Sequence, residues 1–199
     1  GGSSVTIDDF QTDQAASNIR IDSGGGGSIT VSGGGITATG SSGVDINSAG
    51  AFTLADGVSI TSGGGSVTID TAGANDMTIN GSVTTSGAGA ITLTGSQAIA
   101  MDSTSLVQTQ TGAITLQAAT SLTVDEVRTT DPTLFRVSLV ASSGAIAEAD
   151  DSAMVATTGT PEITAGTDVG GPGVAALNTT VAAVRGSAGG ASTSTRPTA

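Results

Sequence analysis

The chain has no cysteine, histidine, tryptophan or tyrosine, and only three phenylalanines among its 199 residues. Without cysteine it cannot be held together by disulfides, and a core without large aromatics must be filled by aliphatic side chains. Its basic residues number only five, against 17 acidic ones, which gives a net charge of −12. Nucleic-acid binding is excluded by this charge, because phosphates are held by clustered cationic side chains.

No apolar run approaches the roughly 20 residues needed to span a bilayer, so we expect no membrane insertion. The first residues, GGSSVTIDD, have no signal-peptide pattern, and any export signal is expected to have been removed or to lie outside this sequence. The 31 glycines would suit a disordered chain, but 37% hydrophobic residues indicate an ordered core.

Short apolar–X–apolar triplets recur with a period near 23 residues, in two strong series and a third, weaker one. The first series starts at Val5, Ile29, Phe52, Met77, Ile99 and Leu122 and ends at a lone Ile146, in steps of 22 to 25 residues. The second starts at Ile19, Val44, Val67, Ile91, Ile114 and Val137, in steps of 23 to 25, and Ile163 follows Val137 by 26. The third starts at Ile36, Val58, Val83, Val107 and Val127.

Each triplet predicts a short strand, because an alternation of period two puts both apolar residues on one face. Three short strands per 23-residue unit, separated by Gly-rich corners, predict one coil of an all-β parallel β-helix of roughly seven coils. The inner ladder is expected to contain Ile29, Phe52, Met77, Ile99, Leu122, Val44, Val67, Ile91, Ile114 and Val137. A β-sandwich is the structural alternative, but it would need hairpin turns and irregular spacing.

The period loosens after Thr129, so residues 1–173 are expected to form the solenoid. Residues 174–199 form a Gly/Ser/Thr-rich joining segment, expected to complete a coil or to contact the next unit.

The run VSLVASSGAIAEADDSA, followed by ITAGTDVGGPGVAALNTTVAAVRGS, resembles repeats of large secreted bacterial surface proteins of the filamentous-haemagglutinin-like and autotransporter-like class. Leu177, Thr179, Val181 and Val184 match the LxTxVxxL-type segment of those repeats, and the resemblance as a pattern extends from about Ser28 to Gly186. It implies a right-handed parallel β-helix displayed outside the cell. The chain departs from well-known adhesins in having no recognisable secretion-domain motif.

Parallel β-helices also include enzymes that cleave polysaccharides, which need two carboxylates across a sugar groove. The acidic pairs here, Asp8/Asp9, Asp125/Glu126 and Asp150/Asp151, are neighbours in sequence, and neighbours on a strand point to opposite faces. The chain also lacks lysine, histidine and the aromatic platforms on which sugars stack. The sequence therefore predicts no catalytic residue and no enzyme.

If the chain binds a cation, calcium is the ion that its acidic, Gly-rich turns favour. The candidate ligands are Asp125, Glu126, Asp131, Asp150 and Asp151, although Arg128 and Arg136 nearby favour ion pairing instead. The β-roll and EF-hand calcium patterns are both missing, so no cofactor is predicted. Threonines in the triplets also suggest an ice-binding face, but Arg20, Asp45 and Ala100 interrupt their rows.

These observations favour a structural, non-catalytic segment of an extracellular bacterial filament or surface adhesin. The expected partners are other copies or neighbouring repeats, through uncovered end coils, and host or matrix glycans. A polysaccharide-binding or polysaccharide-cleaving module is the alternative.

Overall fold

The computed structural model describes residues 3–13, 17–130, 137–150, 152–170, 177–181, 183–190 and 194–195. These residues form 22 β-strands in two sheets, and none of them lies in a helix. Within the same ranges there is consequently no helix with the length and apolar character needed to cross a membrane.

The strands are short, and three of them make up a typical coil. In chain order they are β1 (Val5–Thr12), β2 (Ile19–Asp22), β3 (Ile29–Ala38), β4 (Val44–Ser48), β5 (Phe52–Leu54), β6 (Ser59–Ser62), β7 (Val67–Thr71), β8 (Met77–Ile79), β9 (Ser82–Thr85), β10 (Ile91–Gly95), β11 (Ile99–Met101), β12 (Leu106–Thr109), β13 (Ile114–Ala118), β14 (Leu122–Val124), β15 (Glu126–Thr129), β16 (Val137–Ala141), β17 (Ile146–Glu148), β18 (Met154–Thr157), β19 (Glu162–Ala165), β20 (Leu177–Thr180), β21 (Arg185–Ala188) and β22 (Ser194–Thr195).

Every strand pairing is parallel and joins a strand to its counterpart one coil away. One sheet has eight strands in the order β2-β4-β7-β10-β13-β16-β19-β21. The other has 14 strands in two rows, which β1 and β3 connect because each runs on through a corner. The chain is therefore a β-solenoid of about seven turns, and the parallel pairing excludes the β-sandwich.

Inward side chains stack in columns along the solenoid axis, as the triplet series predict. Ile91 pairs with Val67 on one side and with Ile114 on the other, and all three are fully buried. The ten residues of the expected inner ladder are each at most 2% exposed. Each coil thus covers the inward residues of the next, in a core that is mostly aliphatic and in which Phe52 is a buried aromatic residue.

One register differs from the expected series. The third series placed Val58 opposite Ile36, whereas Ile60 pairs with both Ile36 and Val83. The reason is the corner before this row of strands, whose length varies from coil to coil: a single residue, Asp125, separates β14 from β15, and five residues separate β17 from β18.

A second register difference lies near the end of the chain. Ile163 was expected to follow Val137 in its column, but it pairs with Leu139. Leu177–Thr180 and Arg185–Ala188 continue the two sheets beyond this point.

The corners are held by buried hydroxyl groups and by glycine. Thr85 Oγ1 donates to the Gly89 carbonyl at 2.8 Å, and Thr109 Oγ1 donates to the Gly112 carbonyl at 2.7 Å. A Cβ on Gly112 would lie 2.0 Å from the Gly89 carbonyl oxygen of the preceding coil, so this corner can stack closely only without a side chain. These turn carbonyls therefore accept hydrogen bonds from threonine hydroxyls inside the protein instead of from solvent.

Candidate functional site

Two of the candidate carboxylates, Asp125 and Asp150, lie at the variable corner between the first and second strand of each coil, where Asp56 and Asp102 also lie. We call this line, made of Asp56, Asp102, Asp125 and Asp150, the acidic corner. It forms because each aspartate follows, by one or two residues, the last inward residue of a short strand: Leu54, Met101, Val124 or Glu148. Because coils stack about 4.8 Å apart, this recurrence in sequence becomes a line of aspartates along one corner of the solenoid.

Asp102 and Asp150 use their carboxylates to close the turns that they begin. Asp102 Oδ1 accepts hydrogen bonds from the Thr104 backbone N–H at 3.0 Å and from Ser105 Oγ at 2.8 Å. Asp150 Oδ1 accepts from the Ser152 N–H at 2.7 Å and from Ser152 Oγ at 2.6 Å. These bonds to the ionised form lower the pKa of Asp150 below its usual range. Both aspartates therefore have a structural role in their own turns.

Asp125 is in a different environment, because its corner is a single residue long. Its carbonyl accepts from the Met154 N–H, and the residue takes the inward corner position that Ser105 and Ala153 hold in neighbouring coils. Asp125 is only 6% exposed. Burial raises its pKa above the usual value, and repulsion from Asp150 and Asp102 adds to the effect, although the Ser105 backbone opposes it through a hydrogen bond.

Glu126, the next residue, turns outward and forms an ion pair with Arg128 on the same strand. The two members of the Asp125/Glu126 doublet therefore have different surroundings, as alternation along a strand requires. Local ion pairing of this kind was the interpretation that the sequence favoured over a metal site.

The candidate calcium ligands do not converge in the part of the chain that the structure describes. Across those ranges, no three acidic side chains lie close enough to hold a metal ion. Two of the five candidates, Asp131 and Asp151, lie outside the described residues. Beside Asp125 the described residues form a surface cavity of about 340 Å³, whose lining is mostly hydroxyls and carboxylates: Ser82, Ser103, Thr104, Ser105, Leu106, Asp125, Glu126 and Ser152.

The outward threonines form rows on two faces of the solenoid. Thr68, Thr92 and Thr115 pair in register on one face. On another face the row runs through Thr30, Thr53 and Thr78, and then meets Ala100 before Thr123. The first of these rows ends near the N terminus in the charged residues Asp45 and Arg20, where Arg20 Nε lies 2.7 Å from Asp22 and Arg20 Nη1 lies 3.6 Å from Asp45. The second row continues to Thr6.

One buried acid was missed by the sequence analysis. Glu148 is only 6% exposed and follows Val124 in an inward column. Its carboxylate accepts hydrogen bonds from the Asn178 backbone N–H and, at 3.2 Å, from Asn178 Nδ2. The available signal was the incomplete triplet at Ile146, whose second inward position is this glutamate instead of an apolar residue.

Fold and geometry define a parallel β-solenoid repeat protein. No protein-family model, no curated protein and no solved structure matches the chain.

Proposed function

We propose that the chain is a structural, non-catalytic segment of an extracellular bacterial filament or surface adhesin, where it acts as a stiff spacer. The observation that carries the proposal is the unbroken register of the eight-stranded sheet from Ile19–Asp22 to Arg185–Ala188. Hydrogen bonds between coils run along the solenoid axis, so an axial load is shared by all the bonds of a coil at once. Asp102 and Asp150 at the acidic corner accept hydrogen bonds from the backbone of their own turns, which fits a structural use of these two residues.

The acidic surface supports the same function. Seventeen acidic side chains against five arginines give a strong negative charge, which limits lateral sticking between identical rods. The extracellular and bacterial parts of the proposal depend on the likeness of the repeat pattern to secreted surface proteins.

Immunogold electron microscopy of the cells that produce the chain tests the location. We expect label on extracellular filaments or on rods at the cell surface, and label confined to the cell interior would contradict this part of the proposal.

A glycan array and a panel of acidic polysaccharides test the non-catalytic part. A spacer is expected to leave the polysaccharides uncleaved. Cleavage, if Asp125→Asn abolished it and Asp22→Asn on another face did not, would instead support the polysaccharide-cleaving alternative.

A further inference from the structure

Asn80 differs from the other asparagines of the chain both in its side chain and in the residue that follows it. Every asparagine lies within the described residues, and the side-chain amides of the others are held by hydrogen bonds: Asn18 accepts from the Gly43 N–H, and Asn47, Asn75 and Asn178 donate to Asp45, Ala72 and Glu148. The Asn80 side chain is half-buried and has no hydrogen-bond partner in the part of the chain that the structure describes. Asn80 is also the only asparagine that is followed by glycine.

The corner between β8 and β9 consists of Asn80 and Gly81 alone. On either side of it, the Asn80 N–H donates to the Leu54 carbonyl at 3.0 Å and the Ser82 N–H donates to the Val58 carbonyl at 2.9 Å. The Gly81 N–H between them has no acceptor among the described residues, although Gly81 is buried. A buried N–H without an acceptor is rare in a folded protein. This corner therefore holds a free main-chain nitrogen next to a free carboxamide.

These two groups are the reactants of an intramolecular ring closure. After hydroxide has taken its proton, the Gly81 nitrogen attacks Asn80 Cγ: the N–Cγ bond forms, the Cγ–Nδ2 bond breaks and ammonia leaves. Glycine favours this attack because it has no side chain to obstruct its nitrogen. Water then opens the cyclic imide at either of its carbonyl carbons and restores the Gly81 N–H. Because nucleophile and carbonyl belong to adjacent residues, the first step needs no second molecule to be brought into position.

We propose that Asn80 is a deamidation site of the folded protein, at which ammonia is lost through a cyclic imide and an aspartate or an isoaspartate remains. The only co-reactants are water and hydroxide. The inference goes beyond the spacer function and does not depend on it, since it follows from the free amide of Asn80 and the free nitrogen of Gly81.

The two products differ in their consequences for the solenoid. Opening of the imide at the side-chain carbonyl leaves an aspartate in the coil between those of Asp56 and Asp102, so the acidic corner gains a negative charge. Opening at the main-chain carbonyl leaves an isoaspartate, whose backbone is longer by one carbon. Hydrogen bonds to the preceding coil fix this short corner at both ends, so the added carbon has to displace Asn80 or Ser82 from its register.

Peptide mapping by mass spectrometry tests the proposal on the folded full chain after incubation at mildly alkaline pH. We expect the mass change from amide to acid at Asn80, with no comparable change at Asn18, Asn47 or Asn75. The rate should rise with pH, because the deprotonated nitrogen is the attacking group. The isolated isoaspartate form should melt at a lower temperature than the wild type, whereas the aspartate form should melt like the variant Asn80→Asp.

Asp76→Gly is the matched control, because it places a glycine after Asn75, whose Nδ2 donates to the Ala72 carbonyl at 2.6 Å. This second Asn-Gly pair should react roughly tenfold more slowly than Asn80, since its amide must first give up a hydrogen bond. Asn80→Gln should stop the reaction at the corner, because its carbonyl lies one carbon further from the Gly81 nitrogen. Circular dichroism verifies that each variant is folded.

An Asn80 that stays an amide in the folded chain, while the same chain unfolded in urea converts it, would overturn the proposal, because the coil would then protect this residue. Equal rates at Asn80 and at Asn75 of Asp76→Gly would also overturn it, since the free amide would not distinguish the site. A mass change in the same peptide that persists in Asn80→Gln would contradict the assignment to Asn80.

Discussion

At the scale of single residues, Asp125 and Asp150 lie at the same corner, yet their surroundings shift their pKa values in opposite directions. Burial raises the pKa of Asp125, whereas hydrogen bonds from Ser152 lower that of Asp150. A raised pKa means that the folded state favours the protonated acid. The contribution of Asp125 to the free energy of unfolding is therefore fully present when the pH is below the pKa of this residue in the unfolded chain. It is lost as the pH rises through its pKa in the folded protein.

Asp125→Asn is accordingly expected to raise the free energy of unfolding at neutral pH, because it removes a buried charge and keeps an oxygen for the Ser105 hydrogen bond. The gain should disappear once the pH falls below the pKa of an ordinary aspartate, where wild-type Asp125 is protonated as well. Urea denaturation of both proteins at a series of pH values measures the difference.

Asp150→Asn is the matched variant, and its expected effect on the free energy of unfolding has the opposite sign. With a lowered pKa, Asp150 contributes stability above its unfolded pKa that is lost as the pH falls through its folded pKa. The substitution should therefore destabilise at neutral pH and have little effect in acid. If the two variants changed stability in the same direction at pH 7, this account of the corner would be wrong.

Thr85→Val tests the buried hydroxyl groups of the corners. Thr85 is 4% exposed, and its hydroxyl donates to the Gly89 carbonyl at 2.8 Å. Valine has the same shape but no donor, so the substitution leaves a corner carbonyl without this partner and should cost about 1–3 kcal/mol in urea denaturation. Thr78→Val, at an outward position of the neighbouring row, should stay within about 0.5 kcal/mol of the wild type. If Thr85→Val and Thr78→Val changed the free energy of unfolding equally, the buried hydroxyl of Thr85 would not stabilise the corner more than an outward hydroxyl does.

At the scale of strands and corners, the close stacking of glycines controls how tightly successive coils approach. Gly112→Ala should destabilise the protein by about 1–3 kcal/mol, because its Cβ would lie 2.0 Å from the Gly89 carbonyl oxygen and the corner would have to move. Thermal melting measures the loss. Gly24→Ala is the control: a Cβ there meets nothing within 4 Å, and the melting temperature should hardly change.

How much of the fold could be predicted from the sequence also depends on the corners. The strands that contain Ile91 and Ile114 were predictable, because apolar alternation and a nearly constant step of 23 or 24 residues identify the same columns. The row that contains Ile60 was predicted less well, since the preceding corner varies in length and shifts the triplet by two residues. A constant number of residues per coil predicts the strand register only where the corner between the strands has a constant length.

The candidate site was predictable only as a set of residues. The sequence identified Asp125 and Asp150 but could not show which one is buried, because burial follows from the one-residue corner between β14 and β15. Glu148 was missed for a related reason. The sequence does not distinguish an inward acidic residue from an outward one, because the partner of Glu148, Asn178, lies 30 residues further along the chain and only the fold brings the two together.

At the scale of the whole molecule, a solenoid in which each coil contacts only its neighbours should tolerate the loss of one complete coil. Removing residues 91–113 joins Ala90 to Ile114 and brings the Ile114 strand against the Val67 strand, in the register that Ile91 now occupies. The shortened chain should fold, with its length reduced by about 4.8 Å and with a smaller free energy of unfolding. Small-angle X-ray scattering and urea denaturation measure the two changes.

The control removes residues 91–102, which is half a coil and breaks the register of both sheets at once. This chain should lose cooperative unfolding, because inward columns would be placed against corners. If both deletions folded equally well, the columns would not be setting the register. If neither folded, the coils would not be interchangeable units, and the length of the solenoid could not be changed one coil at a time.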